Sequence, residues 1–266
     1  MKGKVIAITK KLIKLPEHKP SKVKGAAGRV LVVGGSEDYA GAVYLAGMAA
    51  LRSGADSVLI MAPTKVSWAI NALTPDLVTK KLSGEYLRLV HWKQIQPALK
   101  TADVVLIGNG AGIKPETQKL LRKIMAEWMG LKVVDADAIK ALRHNQISNA
   151  IITPNKKEFA FLKKNNNIQT LLSQNNVLLT KGGPAQVVSK TRTVVNKNTG
   201  SFLTKAGVGD VLVGLAAGFL AQSENLWQSA INTTYFAGLI GEILLKKKKG
   251  HFYLASEMIP EIKKVL

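Results

Sequence analysis

Six short runs rich in valine, isoleucine and leucine, each closed by glycine or a polar turn and followed by a helical pattern, constrain this chain more than any other feature. Such runs are too evenly apolar for strands with one wet face. They read as strands covered on both sides, the βαβ signature of a mostly parallel sheet. The strands are expected at Arg29–Val33, 57–61, 103–107, 132–135, 150–153 and Val177–Thr180. Helices are expected over 41–53, 115–128, 156–163, 208–221 and 226–245. After Lys181 the rhythm changes: 185–189 and 193–195, joined by the polar turn 190–192, read as a hairpin forming an antiparallel edge, and the chain is then helical to its end.

The chain's 266 residues, 47% of them hydrophobic, suffice for one substantial core, near the upper limit before chains divide. No repeat or linker interrupts them, so one domain over 1–266 is expected, with 1–27 an extension packed on it. The absence of cysteine excludes disulfides, zinc–thiolate sites, iron–sulfur clusters and cysteine nucleophiles. The basic start lacks an apolar segment of signal length, and the most apolar stretches, 40–51 and 211–221, are too short to span a bilayer. A cytoplasmic protein without a membrane partner is expected.

The formal charge is +21, and 32 of the 38 basic residues are lysine. A lysine-dominated surface attracts polyanions without the bidentate geometry that arginine brings to phosphate and guanine. With no RNP motif, zinc pattern or recognition helix, no specific nucleic-acid partner is expected, and a non-catalytic basic binding protein is the remote alternative. The run Lys246 to Lys249 reads as the solvated, dipole-favoured end of a helix.

In open α/β sheets ligands bind beyond the carboxyl ends of the strands. Gly34-Gly35-Ser36, Gly108-Asn109-Gly110-Ala111-Gly112, Asp135-Ala136-Asp137, Thr153-Pro154-Asn155 and Lys181-Gly182-Gly183 each follow a strand. The first lacks the Lys-Ser/Thr ending of a P-loop, so it is a bare turn or a backbone contact. The second has Ile113 where a dinucleotide fingerprint needs glycine, so its three glycines point to close approach of a bulky ligand. Asp135 and Asp137 are suited to cap the next helix, or to hold magnesium or a ligand hydroxyl. Lys181 is either part of the hairpin turn or a point charge for phosphate.

The most informative segment leads from the hairpin through Gly207-Val208-Gly209-Asp210 into an apolar helix. Two glycines are costly at a helix start unless something must come close, and the bare amides with the helix dipole make an anion site. Asp210 beside that site is a candidate catalytic carboxylate as well as a dipole-favoured acid.

Gly-x-Gly-Asp opening a late helix resembles the anion hole and catalytic aspartate of the ribokinase-like proteins. Gly-Arg-Val-Leu-Val-Val-Gly-Gly-Ser, Tyr-Ala-Gly-Ala, Gly-Asn-Gly-Ala-Gly, Val-Val-Asp-Ala-Asp-Ala, Thr-Pro-Asn-Lys-Lys-Glu-Phe, Thr-Lys-Gly-Gly, Ala-Gly-Val-Gly-Asp-Val-Leu and Phe-Tyr-Leu-Ala-Ser-Glu-Met-Ile-Pro, in that order, resemble the dehydratase domain of ADP/ATP-dependent NAD(P)H-hydrate dehydratases from about Gly28 onward. The resemblance implies a three-layer α/β/α fold. It implies nucleotide-dependent dehydration of NADH or NADPH hydrate, with ADP or ATP as co-substrate and Mg2+, in a homo-oligomer. It places Ala42, Gly110 and Asn155 near the hydrate, with Glu158 supporting that loop. It places Lys181, Gly182, Gly183, Pro184, Ala185, Gly200, Ser201, Ala206, Gly207, Val208 and Gly209 on the nucleotide, and Asp210 at the reacting hydroxyl. Metal ligands are not assigned. Lys205 and Ala206, which depart from the family's glycine-richer loop, are expected to narrow the nucleotide pocket. A vitamin-precursor kinase of the same superfamily is the nearest alternative, since it uses the same aspartate and anion hole.

Overall fold

The computed structural model describes residues 6–16, 25–198 and 204–266. Ten strands form one sheet in the order β1-β10-β9-β8-β7-β6-β5-β2-β3-β4. They are β1 (Ile6–Ala7), β2 (Arg29–Val33), β3 (Ser57–Pro63), β4 (Val78–Leu82), β5 (Val104–Ile107), β6 (Leu131–Val134), β7 (Ala150–Ile152), β8 (Val177–Thr180), β9 (Ala185–Val188) and β10 (Thr193–Asn196). The helices are α1 (Ala40–Arg52), α2 (Thr64–Leu73), α3 (Trp92–Leu99), α4 (Pro115–Glu127), α5 (Asp137–Ala141), α6 (Lys156–Asn165), α7 (Ile168–Ser173), α8 (Val208–Ser223), α9 (Leu226–Lys247) and α10 (Met258–Val265).

The apolar runs do alternate, but between two buried faces. Val30 and Val32 of β2 face one core with residues of α1, α2, α8, α9 and α10, while Leu31 and Val33 face a second core with α3, α4, α5, α6 and α7. Both faces are covered, as in other parallel sheets, and the three-layer α/β/α expectation holds. β9 alone runs against its neighbours β8 and β10. The hairpin is not the outermost element, however: β1 pairs with β10 in parallel, Ile6 opposite Val194, and so covers it.

Helix α9 buries Leu226, Ile231, Phe236, Ile240 and Leu244 within the chain, so its apolar length is accounted for without a second copy. The lysine run at its end is not simply solvated: Lys247 meets Glu261 at 2.7 Å and Lys248 meets Glu257 at 2.6 Å, tying α9 to the start of α10 and the turn before it. Among the described residues no helix is long and apolar enough to cross a membrane.

Strand order reverses between β2 and β5: β3 and β4 lie on one side of β2, and β5 to β8 follow on the other. At such a switch point the loops after neighbouring strands diverge and leave a crevice at their carboxyl ends. The loops after β2 and β5 remain joined at its floor, where the Gly35 amide donates to the Asn109 carbonyl at 2.8 Å.

Candidate active site

Gly110 takes φ +61°, a left-handed conformation that side chains resist, and a Cβ there would stand 2.7 Å from Tyr39 Cβ and 3.1 Å from Ala42 Cβ. The loop after β5 is thereby seated against the start of α1, and Ala42 and Gly110, expected to share the substrate side, are brought together.

Asp135, at the end of β6, is 2% exposed. Its Oδ1 accepts from the Lys181 ammonium and, at 2.7 Å, from the Thr153 hydroxyl. Its Oδ2 accepts from Asn109 Nδ2 at 3.1 Å, and the same nitrogen donates to Asp210 Oδ1 at 2.6 Å. The ends of β5, β6, β7 and β8 thus deliver Asn109, Asp135, Thr153 and Lys181 to the first turn of α8. Asp135 is no helix cap, because the α5 N-cap is Ala136 and accepts nothing by side chain. Asp137 does not cap either: it binds the Gly112 amide at 2.9 Å and Lys140 at 2.8 Å.

Helix α8 is preceded by its cap residue Gly207, whose φ of +83° is left-handed and whose absent Cβ would lie 2.8 Å from Leu45 and 2.9 Å from Ala255. The Val208 and Asp210 amides are used by Lys205 and Gly207 carbonyls. The Gly209 amide has no acceptor among the described residues, and the Lys181 ammonium stands 3.4 Å from where a Gly209 Cβ would be. An open amide at the positive end of a 16-residue helix with a lysine above it can receive a phosphate oxygen. Beside it, burial pushes the Asp210 carboxyl up to about 6, Asp135 adds like charge, and Asn109 and Lys181 oppose the rise.

The other expected positions divide. Asn155 is exposed and caps α6, its Oδ1 accepting from the Lys157 and Glu158 amides while Glu158 Oε2 accepts from the Asn155 amide at 2.9 Å. Glu158 and Asn155 thus hold each other at the start of α6. Its carboxyl is raised by burial, partly offset by the Asn155 hydrogen bond and by Lys181. Gly182, Gly183 and Pro184 lie in the turn after β8. Ala185 and Val208 have buried side chains, which leaves them only backbone for a ligand. Ala206 is exposed. Gly200 and Ser201 lie outside the described residues. The Lys205 ammonium donates to the His251 and Tyr253 carbonyls, both at 2.6 Å.

Sequence reasoning missed Asn109 and Thr153. The one available signal was a polar side chain between the glycines of Gly108-Asn109-Gly110. As for magnesium, no group of three or more acidic or histidine side chains among the described residues could hold a metal ion. The oxygens of Asp135 are already taken by Lys181, Thr153 and Asn109. The residues do not build a cage for a resident ion; one arriving with a nucleotide would be held by phosphate oxygens.

A family model described as NAD(P)H-hydrate dehydratase matches residues 30–264. The chain is 36% identical over 247 residues to the bifunctional NAD(P)H-hydrate repair enzyme of Methanocaldococcus jannaschii, covering 91% of this chain and 49% of that protein. It spans about half the length of the first curated relatives it matches. With the ADP-dependent (S)-NAD(P)H-hydrate dehydratase of Nitrosopumilus maritimus it shares 30% identity over 276 residues, 98% of this chain and 95% of that one. Among solved structures, the ADP/ATP-dependent NAD(P)H-hydrate dehydratase of Bacillus subtilis, co-crystallised with ATP and Mg2+, superposes with a TM-score of 0.82 at 23% identity, covering 98% and 97% of the two chains.

Proposed function

The chain belongs to the NAD(P)H-hydrate dehydratase family, and from that premise we propose that it restores (6S)-NADH hydrate or NADPH hydrate to NADH or NADPH at the expense of ADP or ATP. The observation that carries this reading is the placement of Asp210, a half-buried carboxylate with raised proton affinity, beside the open Gly209 amide and the Lys181 ammonium. A base and an anion site side by side are what transfer of a phosphoryl group to an alcohol requires.

Hydroxide leaves the hydrate ring poorly. In the first step the ring hydroxyl oxygen attacks the nucleotide's terminal phosphorus. The O–P bond forms, the bond to the leaving nucleotide breaks, and the hydroxyl proton passes to Asp210. In the second step the ring nitrogen lone pair expels phosphate and the neighbouring carbon loses a proton, restoring the dihydropyridine. The products are phosphate with AMP from ADP, or with ADP from ATP. Lys181 and the Gly209 amide hold phosphate charge, and Ala42, Gly110 and the Asn155–Glu158 turn shape the hydrate side. Mg2+ bound with the nucleotide would offset the phosphate charge that Lys181 and the Gly209 amide face. The chain also self-assembles in this reading, supported by the exposed Trp68 and Leu73 of α2 and Val78 of edge strand β4; sedimentation velocity tests it.

The experiment is recovery of reduced-nicotinamide absorbance from NADH hydrate with ADP, ATP or neither, alongside released phosphate. Recovery requiring one nucleotide, and lost at least 100-fold in Asp210→Asn with nucleotide binding retained, is the expected result. A stable phosphorylated product without absorbance recovery would instead assign a kinase.

A further inference from the structure

Lys181 rests on Asp135, Asp135 on Asn109, and Asn109 on Asp210. The proposed function employs the two ends of this line, the ammonium for phosphate and the carboxylate for a proton. Of its two inner members, Asp135 seats Lys181, whereas Asn109 has no task in that reading, yet it is 1% exposed.

A single amide nitrogen reaches both acids, 3.1 Å to Asp135 Oδ2 and 2.6 Å to Asp210 Oδ1. The other end of the amide is unsatisfied, for Asn109 Oδ1 is buried without a hydrogen-bond partner. A buried acceptor left unpaired is costly. Turning the amide over would be worse, since it would set the carbonyl oxygen against two carboxylates. The two acids therefore dictate the orientation. A primary amide also suits the position chemically. It offers two hydrogens from one atom without charge, whereas serine offers one, lysine would neutralise the acids and aspartate would add a third negative group.

We infer that Asn109 is a positioning residue for Asp210: it holds Oδ1 of that carboxylate against Asp135 and leaves the second oxygen to the substrate hydroxyl. The inference rests on Asp210 being the base. Asp135 from the end of β6 and Lys181 from the end of β8 are the charged groups acting on Asp210; none comes from α1, α9 or α10, which also pack on α8. Asn109 opposes the effects of burial and of Asp135, so losing it raises the proton affinity of Asp210.

The test reads that affinity directly, by carbon-13 NMR of the Asp210 side-chain carboxyl, assigned with Asp210→Asn, across a pH titration. In Asn109→Leu, similar in shape but without donors, the midpoint is expected to rise by roughly one pH unit or more. The acidic limb of kcat should move up by the same amount, with the nucleotide KM little changed. An unmoved midpoint in Asn109→Leu of unchanged Tm would overturn the inference. If that variant does not fold, Asn109→Ser, too short to reach both acids, is read the same way, and an unmoved midpoint overturns it equally. The two readings fail separately. Absent turnover with a shifted midpoint removes the repair function and keeps the positioning role, and nucleotide-dependent turnover with an unmoved midpoint does the reverse.

Discussion

Asp210 has a free-energy cost in the fold that can be measured apart from catalysis. Its folded-state proton affinity, near pH 6, lies above the ordinary value of 3.8, so the folded protein binds this proton more tightly than the unfolded chain does. The favourable contribution is complete below the unfolded value and is lost as pH climbs through about 6. Asp210→Asn should therefore stabilise the protein at pH 7.5 by on the order of 1–2 kcal/mol and have little effect at pH 4. Urea unfolding at the two pH values checks this; equal gains at both would exclude charge as the cause. The same titration should make wild-type turnover fall about tenfold per pH unit below about 6. Lys181→Met acts in the opposite direction. It leaves Asp135, 2% exposed, without its counter-ion, and should cost about 3 kcal/mol in urea unfolding as well as weakening nucleotide affinity in calorimetry.

Between elements, α1 packs tightly against α8, and the packing depends on two glycines within α8. A Cβ on Gly214 would collide with the Ala46 carbonyl oxygen and lie 2.7 Å from Ala49 Cβ, and one on Gly218 would collide with Ser53 Oγ. Helix propensity alone favours alanine over glycine by about 1 kcal/mol. Overpacking against backbone costs roughly 1–3 kcal/mol or more and should win. Gly214→Ala is expected to lower stability by about 2 kcal/mol in denaturant titration, and a gain would show that α1 retreats freely. The apolar runs in the sequence located the central strands because a residue buried on both faces must be apolar whatever its neighbours. The elements they did not reveal are those without that constraint. β4, Val-Thr-Lys-Lys-Leu, is an edge strand with exposed positions, and β1 is only two residues long. α3 carries Pro97 inside it, and α5 has five residues. The site divides the same way. Gly207, Gly209 and Asp210 show themselves locally, because glycines at a helix start need a reason, whereas Asn109 and Thr153 acquire their roles only from partners 18 to 101 residues distant.

At the scale of the whole molecule the dominant quantity is charge. Even if each of the 17 acidic side chains took one cation, 21 of the 38 basic groups would remain uncompensated. The ion pairs are mostly exposed, with Lys65 meeting Glu37 and Glu85 at the surface and Lys119 and Lys123 paired along α4. Pairs of that kind contribute little each, near 0–1 kcal/mol, and salt screens them. Salt equally screens the repulsion among the surplus lysines, which acts between many more groups and opposes the compact state. The repulsion should prevail, so Tm should rise by several degrees between about 10 mM and 300 mM NaCl, where the screening length shrinks from about 30 Å to well below 10 Å. Differential scanning calorimetry across that range decides the matter. A falling Tm would mean that the ion pairs tying α9 to α10, rather than the net charge, set the stability of the fold.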